Sequence, residues 1–506
     1  MSLKKNTFSN FIGFFYTALI GLIILPLYLK YLGISAFGLI GLFTVLKAWF
    51  RAFDLSLIPT FSREVAFNRN NATGIYEIRL LMRSLEVLFF IVNILIIFTA
   101  ILSCKWIVHS WLQIENIDYA QAAFSIILMI IIISVGWFSD LYRAVIQGME
   151  DQVWLNVANI FILSLQYIGG LILLRWFTHN PVHYFEYQLM IAVVDVFLVR
   201  TKAYRLIPNA SDHKYIYFSW NAIKRILLFA SSLAYTGTLW LLLTQLDKLL
   251  LSHILPLSKY GYFILVALIS GGILQFSAPI SQAILPRMTF LLSQGKKEEM
   301  LQLYCNATQI TAVLVFSLSG IIAVFGRELI YAWTGNIIAA HWIAPILFWY
   351  ALGNAVCTMQ SFQYYLQCAS GNLRLHVVFY TIFSIIAVPS IFFAAYFYGP
   401  IGTGIAWLLI QCTIFVGWSP IVHRKYAPGI HRVWILRDIM SIFLAVTITL
   451  FCLRMVFIHF EWMSRIEVFI ILCGFGIVVL MGGALASSAC RNFFAPTFGK
   501  KEVLKV

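Results

Sequence analysis

The chain has 506 residues, of which 61% are apolar, 16% aromatic and 11% charged, against about 25% charged in a typical soluble domain. Its apolar residues recur in runs of about 20 along nearly the whole length, the pattern of a polytopic α-helical membrane protein, which excludes a soluble enzyme, a secreted disulfide scaffold and a disordered chain. The net charge of +15 then marks cytoplasmic loops rather than a nucleic-acid surface.

Fourteen apolar runs follow in chain order. They lie near residues 8–29, 36–59, 84–108, 120–146, 153–177, 185–204, 226–251, 260–285, 304–325, 342–367, 376–397, 401–422, 439–459 and 466–489. At 1.5 Å per residue each reaches across, or nearly across, a hydrocarbon core of about 30 Å. The first run is too long for a signal h-region and ends in no small-residue cleavage site, so it reads as a retained span. With the N-terminus inside, 25 of the 35 basic residues fall on or near the inner side and eight on or near the outer side, with Lys47 and Arg51 in mid-span. That bias puts both termini in the cytoplasm and favours an even span count. The eight cysteines form no C-x-x-C and lie in or beside apolar runs, so neither a disulfide framework nor a metal site is expected.

An ionisable side chain at mid-span costs roughly 2.5–3.5 kcal/mol on insertion scales and needs a reason. In the second span Thr44, Lys47, Arg51 and Asp54 are spaced 3, 4 and 3, one face of a continuous helix. Phe43, Leu46, Phe50 and Phe53 take the other face. The polar face is expected to line a cavity, with an internal Arg51–Asp54 pair gluing the span to a neighbour as the alternative. Asp140 and Arg143, three apart near the inner end of span 4, read as an interfacial helix pair. Asp195 stands alone midway along span 6, as an ion or proton carboxylate or as the partner of a basic residue in the same lobe. Glu86 lies near an interface and calls for no special role. Span 7 carries Gln245, Asp247 and Lys248 in its outer part, either an outer-rim pair or a cavity group. Span 8 carries Gly271, Gly272, Gln275, Ser277, Pro279, Ser281, Gln282 and Pro286, the composition of a bending, cavity-lining helix or of close helix packing.

Two segments repeat at an offset of 223 residues: L-G-I-S-A-F-G (32–38) and L-P-L-S-K-Y-G (255–261), sharing L-x-x-S-x-F/Y-G. A second pair, Ile146-Gln147 with Leu155 and Val157 against Leu366-Gln367 with Leu375 and Val377, is offset by 220. The offset equals six spans and preserves orientation, which implies parallel repeats about an axis along the membrane normal. The expected organisation is an all-α polytopic fold: a six-helix lobe over 1–205, a second over 206–430 around a shared central cavity, and two added helices with a cytoplasmic tail over 431–506. There is no G-x-x-x-x-G-K-S/T, no H-E-x-x-H and no G-x-S-x-G, so no nucleotide site or hydrolytic centre is expected. His109, His179 and His183 lie in different outer loops and form no ligand set.

The segments Y-L-G-I-S-A-F-G-L-I-G-L-F (31–43), F-D-L-S-L-I-P-T-F-S-R-E-V-A (53–66), I-Q-G-M-E-D-Q-V-W-L-N (146–156), Q-L-D-K-L-L-L-S (245–252) and L-S-K-Y-G-Y-F (257–263) resemble the polysaccharide transporters. These belong to the multidrug/oligosaccharidyl-lipid/polysaccharide exporter superfamily, and the nearest type is the O-antigen (Wzx-like) flippase. The resemblance covers about residues 8–430. It implies two six-helix lobes around a V-shaped cavity in the bacterial inner membrane. It also implies translocation of undecaprenyl-diphosphate-linked sugar repeat units, and a basic cavity for the diphosphate. Lys47 and Arg51 are then the expected diphosphate contacts and Lys248 a further one. Asp54 is expected to orient Arg51, and Asp247 or Asp195 to carry a coupling proton or sodium ion; Thr44, Gln245 and Gln275 complete the cavity lining. No other cofactor is expected. The expected partners are the lipid-linked oligosaccharide, the bilayer, and a polysaccharide polymerase with its chain-length regulator; nucleic acid is not among them. A peptidoglycan-precursor flippase needs the same basic cavity and is the near alternative. A cation-coupled multidrug exporter would want an acidic cavity, and a membrane glycosyl- or acyltransferase a catalytic constellation that the sequence does not assemble.

Overall fold

In the computed structural model, residues 3–54, 56–69, 72–207, 218–456 and 463–494 are described. They form α1 (Leu3–Leu32), α2 (Ile34–Phe50), α3 (Leu57–Asn68), α4 (Ala72–Trp106), α5 (Tyr119–Gly148), α6 (Gln152–Ser164), α7 (Gly170–Trp176), α8 (Pro181–Leu206) and α9 (Trp220–Ile254). There follow α10 (Leu257–Ser293), α11 (Lys297–Val324), α12 (Gly326–Thr334), α13 (Ile337–Ala369), α14 (Arg374–Tyr426), α15 (His431–Val433), α16 (Ser441–Val456), α17 (Arg465–Ala486) and α18 (Ser488–Phe494).

Among the described residues, eleven helical stretches are long and apolar enough to cross a membrane, so the chain is an all-helical, multi-pass membrane protein. Within the described residues each of the fourteen apolar runs falls mainly on helix; the run 153–177 passes from α6 through a π-helical stretch at Leu165–Gly169 into α7, and two departures are larger. Residues 376–397 and 401–422 share the 53-residue α14, which is interrupted at Gly399 (φ 60, ψ −149). That backbone conformation is open to glycine and strained for a side chain, and Pro400 follows it. The run 36–59 is not one helix. It leaves α2 at Phe50, passes through a 3₁₀ turn over Arg51–Asp54, and restarts as α3 after Ser56 in the left-handed region (φ 56). The side chain of Phe53 lies outside the described residues, as do those of Ser277, Pro279, Ser281 and Gln282.

Helix starts follow ordinary capping chemistry. Asn180 Oδ1 accepts the Val182 N–H at 2.9 Å, with Pro181 opening α8. Asn336 Oδ1 accepts the Ala339 N–H at 3.0 Å to start α13. Ser464 and Glu467 form a reciprocal capping box at the start of α17.

Two compact units divide the chain, Met1–Ile264 and Leu265–Val506, with the boundary inside α10; α9 therefore groups with the first unit. In that unit Phe61 and Val65 of α3 pack among Leu85 and Phe89 of α4, Leu141 and Val145 of α5, and Val199 of α8. Buried Glu86 of α4 sits at the polar centre of this packing. It accepts the hydroxyls of Tyr142 (2.7 Å) and Tyr204 (2.9 Å) and pairs with Arg83 at 2.8 Å. Glu86 thus ties α4 to α5 and α8, a larger role than its near-interface position suggests.

The two repeated motifs meet inside the first unit. A Cβ on Gly38 would lie 2.5 Å from the carbonyl oxygen of Leu257, and one on Gly261 would lie 2.6 Å from that of Ile34. A Cβ on Gly41 would press into Ile264. Residues 34, 38 and 41 correspond to 257, 261 and 264 under the 223-residue offset. The crossing of α2 with the start of α10 therefore exchanges equivalent contacts, and only glycine allows main chains to approach this closely.

In the second unit α11, α13 and α14 pack together, with α16 and α17 against α11. Gln309 of α11 donates to Asp438 Oδ1 at 2.7 Å and accepts from Ser487 Oγ, Ser488 Oγ and the Ala489 N–H. Asn354 of α13 donates to the Ser270 carbonyl at 2.7 Å and accepts Trp407 Nε1–H at 2.8 Å. Large apolar side chains stay outward on the long helices, such as Phe90, Leu95 and Leu102 on α4 and Ile385, Phe393 and Phe397 on α14, as expected of lipid-facing surface.

Candidate functional site

The first unit encloses an open cavity of about 330 Å³ bounded by α1, α2, α5, α6 and α8. Its charged lining is Lys47 at the end of α2, Arg51 in the 3₁₀ turn, Asp140 and Arg143 on α5, and Asp195 on α8. Thr17, Asn159 and Gln166 add uncharged polar groups. Three basic and two acidic side chains in a space walled by membrane-crossing helices form a polar compartment that lipid cannot occupy.

Lys47 and Arg51 of the second span line one cavity. Neither side chain makes a hydrogen bond or salt bridge with a described residue. Phe43, expected on the opposite face, lines the same cavity, because 43, 47 and 51 are one helical row at i, i+4 and i+8. Leu46 and Phe50 do face the other way, into a separate apolar cavity of about 390 Å³ with Leu42, Trp106 and Trp111. Thr44 is exposed, returns its hydroxyl to the Gly41 carbonyl at 2.7 Å, and is outside the lining.

Asp54 does not orient Arg51. α2 ends at Phe50, both residues lie in the 3₁₀ turn, and Asp54 Oδ1 instead accepts the Ser56 N–H at 2.6 Å, an Asx turn that closes the break before α3. Asp195 is not alone. Its Oδ1 receives Arg143 Nη2 at 2.6 Å, with side-chain exposures of 13% and 19%, so α5 and α8 are joined by a largely buried ion pair. Arg143 accordingly does not form the interfacial pair with Asp140 that their spacing suggested. Both groups belong to the cavity. Gly136, Asp140 and Arg143 are spaced to share one face of α5, and in the structure a Cβ on Gly136 would meet nothing within 4 Å.

Lys248 does not join Lys47 and Arg51. Its Nζ donates to the Thr244 carbonyl at 2.5 Å and pairs with buried Asp247 at 3.2 Å on the same helix. Asp247 is therefore neutralised in place. Gln245 is half-buried on α9 and Gln275 is exposed in the second unit; neither is in the lining. Among the described residues no cluster of histidine, cysteine or carboxylate side chains could hold a metal ion.

No family model matches the sequence. A protein of Shigella flexneri described as "Putative O-antigen transporter" is 22% identical over 297 residues, covering 57% of this chain and 67% of its own length. The structure of the lipid II flippase MurJ in an inward closed conformation superposes with a TM-score of 0.71 at 17% identity, covering 96% of this chain and 99% of that one. An inward-facing multidrug resistance MATE transporter of the MOP superfamily gives a TM-score of 0.59 at 13% identity, covering 81% of this chain and 96% of its own. A MOP superfamily transporter from Pyrococcus furiosus gives 0.55 at 14% identity, covering 82% and 94%. The chain therefore shares its fold with solved transporters of the MOP superfamily.

Proposed function

We propose that this transporter is a flippase for undecaprenyl-diphosphate-linked oligosaccharide, an O-antigen or similar surface-polysaccharide repeat unit. It carries the headgroup from the cytoplasmic to the periplasmic leaflet by alternating access. The observation that carries the reading is the pair Lys47 and Arg51, two basic side chains in one cavity with no hydrogen bond or salt bridge to any described residue. Each sugar hydroxyl taken unpaired into hydrocarbon costs about 4–8 kcal/mol on an alkane scale, so a repeat unit cannot cross without a polar compartment. Its diphosphate needs compensating charge there, and the polyprenyl tail stays in lipid. Outward movement of an anion gains about 2.3 kcal/mol per charge per 100 mV when the inside is negative. The name of the Shigella relative points to the same substrate class. The reading includes fourteen crossings, both termini in the cytoplasm of a bacterial inner membrane, and lobes over 1–205 and 206–430 followed by two added helices.

The near-complete mutual coverage with the lipid II flippase, against about four-fifths of this chain for the MATE transporter, favours a second reading within the same chemistry: a peptidoglycan-precursor flippase. A cation exporter is disfavoured, since the lining carries three basic groups against two acidic ones.

The test is reconstitution into sealed liposomes with labelled undecaprenyl-diphosphate oligosaccharide, peptidoglycan precursor in parallel vesicles, and an inside-negative potential. Exposure of label to an external glycan-processing enzyme reports flipping. Lys47→Ala and Arg51→Ala each lose about tenfold or more in rate while inserting normally, as expected for loss of a hydrogen bond to a charged group worth about 1.5–3 kcal/mol. Full activity in both overturns the site; faster flipping of the peptidoglycan precursor selects the second reading.

A further inference from the structure

The lining of the first unit's cavity has two chemically different parts. The charged groups come from α2, the 3₁₀ turn, α5 and α8. From α6 and the π-helical stretch that follows it, Asn159 and Gln166 enter the same space. Neither side-chain amide makes a hydrogen bond with any described residue. Thr17 of α1, by contrast, returns its hydroxyl proton to the Gly13 carbonyl at 2.8 Å.

The backbone around Gln166 shows how it is held. At Leu165–Gly169 the helix widens to π geometry, which departs from the regular i→i+4 ladder and recurs at functional sites. Three carbonyls there take side-chain donors. The Tyr187 hydroxyl donates to that of Leu165 at 2.8 Å. The Tyr28 hydroxyl lies 3.0 Å from that of Gln166 and 2.9 Å from that of Tyr167. The Gln188 amide donates to that of Gln166 at 3.1 Å. A side chain on Gly169 or Gly170 would collide with the Tyr187 or Tyr28 hydroxyl, so the bare backbone is what admits both tyrosines. The stretch is thus pinned to α1 and α8 through its main chain. Gln188 commits its amide to this packing, and Gln166 does not.

An amide without partners inside a membrane is unfavourable, and a ligand of matching chemistry removes that penalty. A carboxamide offers N–H donors and a carbonyl acceptor from one neutral group. That complements the hydroxyl and acetamido groups of a sugar and supplies no charge to offset a diphosphate. Seven residues separate Asn159 from Gln166, about 10 Å of helix, so the two amides act at different places along a headgroup. We propose that Asn159 and Gln166 are the sugar-reading residues of this cavity, hydrogen-bonding a neutral sugar next to the diphosphate held by Lys47 and Arg51. The proposal rests on the diphosphate reading of the cavity. The two cations then bind every substrate of this class alike, and the amides set which sugar is accepted, because a sugar that leaves them unpaired is penalised.

The experiment uses the full chain in nanodiscs of zwitterionic lipid and two probes of equal charge: farnesyl diphosphate capped with a methyl group, and the same lipid capped with N-acetylglucosamine. Calorimetry gives a dissociation constant for each, and their ratio measures what the sugar adds. Both probes share the lipid and the diphosphate, so the ratio is insensitive to the fraction of folded protein. Wild type binds the sugar-capped probe about tenfold or more tightly. Asn159→Leu and Gln166→Met, close in volume and apolar, each shrink that ratio about three- to tenfold, the loss of one neutral hydrogen bond. Lys47→Ala weakens both probes and keeps the ratio. A ratio near one in wild type, or a wild-type ratio in both amide variants, overturns the sugar-reading role and leaves the diphosphate site standing. Binding of neither probe by wild type overturns the diphosphate reading and this inference with it.

Discussion

At the scale of single residues, the ion pair Arg143–Asp195 is the strongest constraint on the cavity. It fixes α5 against α8 at 2.6 Å with most of both side chains removed from solvent. Removing one partner strands the other charge, at a cost of about 3–5 kcal/mol, whereas replacing both by apolar groups of similar volume is close to neutral. Arg143→Ala should therefore lower the thermal midpoint in detergent sharply, and Arg143→Met with Asp195→Leu should recover most of it. Equal midpoints for wild type and Arg143→Ala would show that the pair is not structural. Lys47 and Arg51 were legible because a charge inside an apolar run stands out and their spacing fixes a shared face. The partner of Asp195 was not legible. Arg143 lies 52 positions earlier on another helix, and nothing local to either residue records which one it meets. For the same reason the pairing of Asp140 with Arg143, plausible from a spacing of three, lost to a contact between helices.

At the scale of elements, the consequential departure is the break at the end of α2. The apolar run over 36–59 looks continuous, because hydropathy averages over side chains and is blind to backbone sign. The chain turns at Ser56, whose left-handed backbone (φ 56) costs an L-residue roughly 1–2 kcal/mol and is supported by the Asp54 side chain. The turn places Arg51 in the cavity while aiming α3 into the packed core of the first unit. Ser56→Gly should be tolerated. Ser56→Val, branched at Cβ, should destabilise by about 1–2 kcal/mol and, by moving Arg51, slow the flipping proposed for this protein, read by thermal unfolding and the liposome assay together. A Ser56→Val protein as stable and active as Ser56→Gly would remove the turn from the site's support. By contrast, the division of α14 at Gly399-Pro400 was anticipated as two separate runs, since glycine and proline announce themselves in sequence.

At the scale of the whole molecule, hydropathy located every long helix. Composition alone separated a multi-pass membrane protein from every soluble class. The weak internal repeat, four of seven positions matched at one offset, falls at a close helix crossing, where the two motifs approach each other through the equivalent positions Gly38 and Gly261. What the sequence did not disclose is that Asp140, Arg143 and Asp195 arrive beside Lys47 and Arg51 from separate helices.

That crossing has an arithmetic of its own. Gly38→Ala drives a methyl group into the main-chain oxygen of Leu257, and Gly261→Ala does the same to Ile34; neither obstacle is a side chain that can rotate away. Each substitution alone must force α2 and α10 apart, and the gap opened by one is the gap the other requires. Contacting sites of this kind are not additive. The double variant should be less destabilised than the sum of the two single variants, with an interaction energy of about 0.5–3 kcal/mol in a double-mutant cycle. Two glycines 223 positions apart would then behave thermodynamically as one residue, counted twice by the chain and once by the fold.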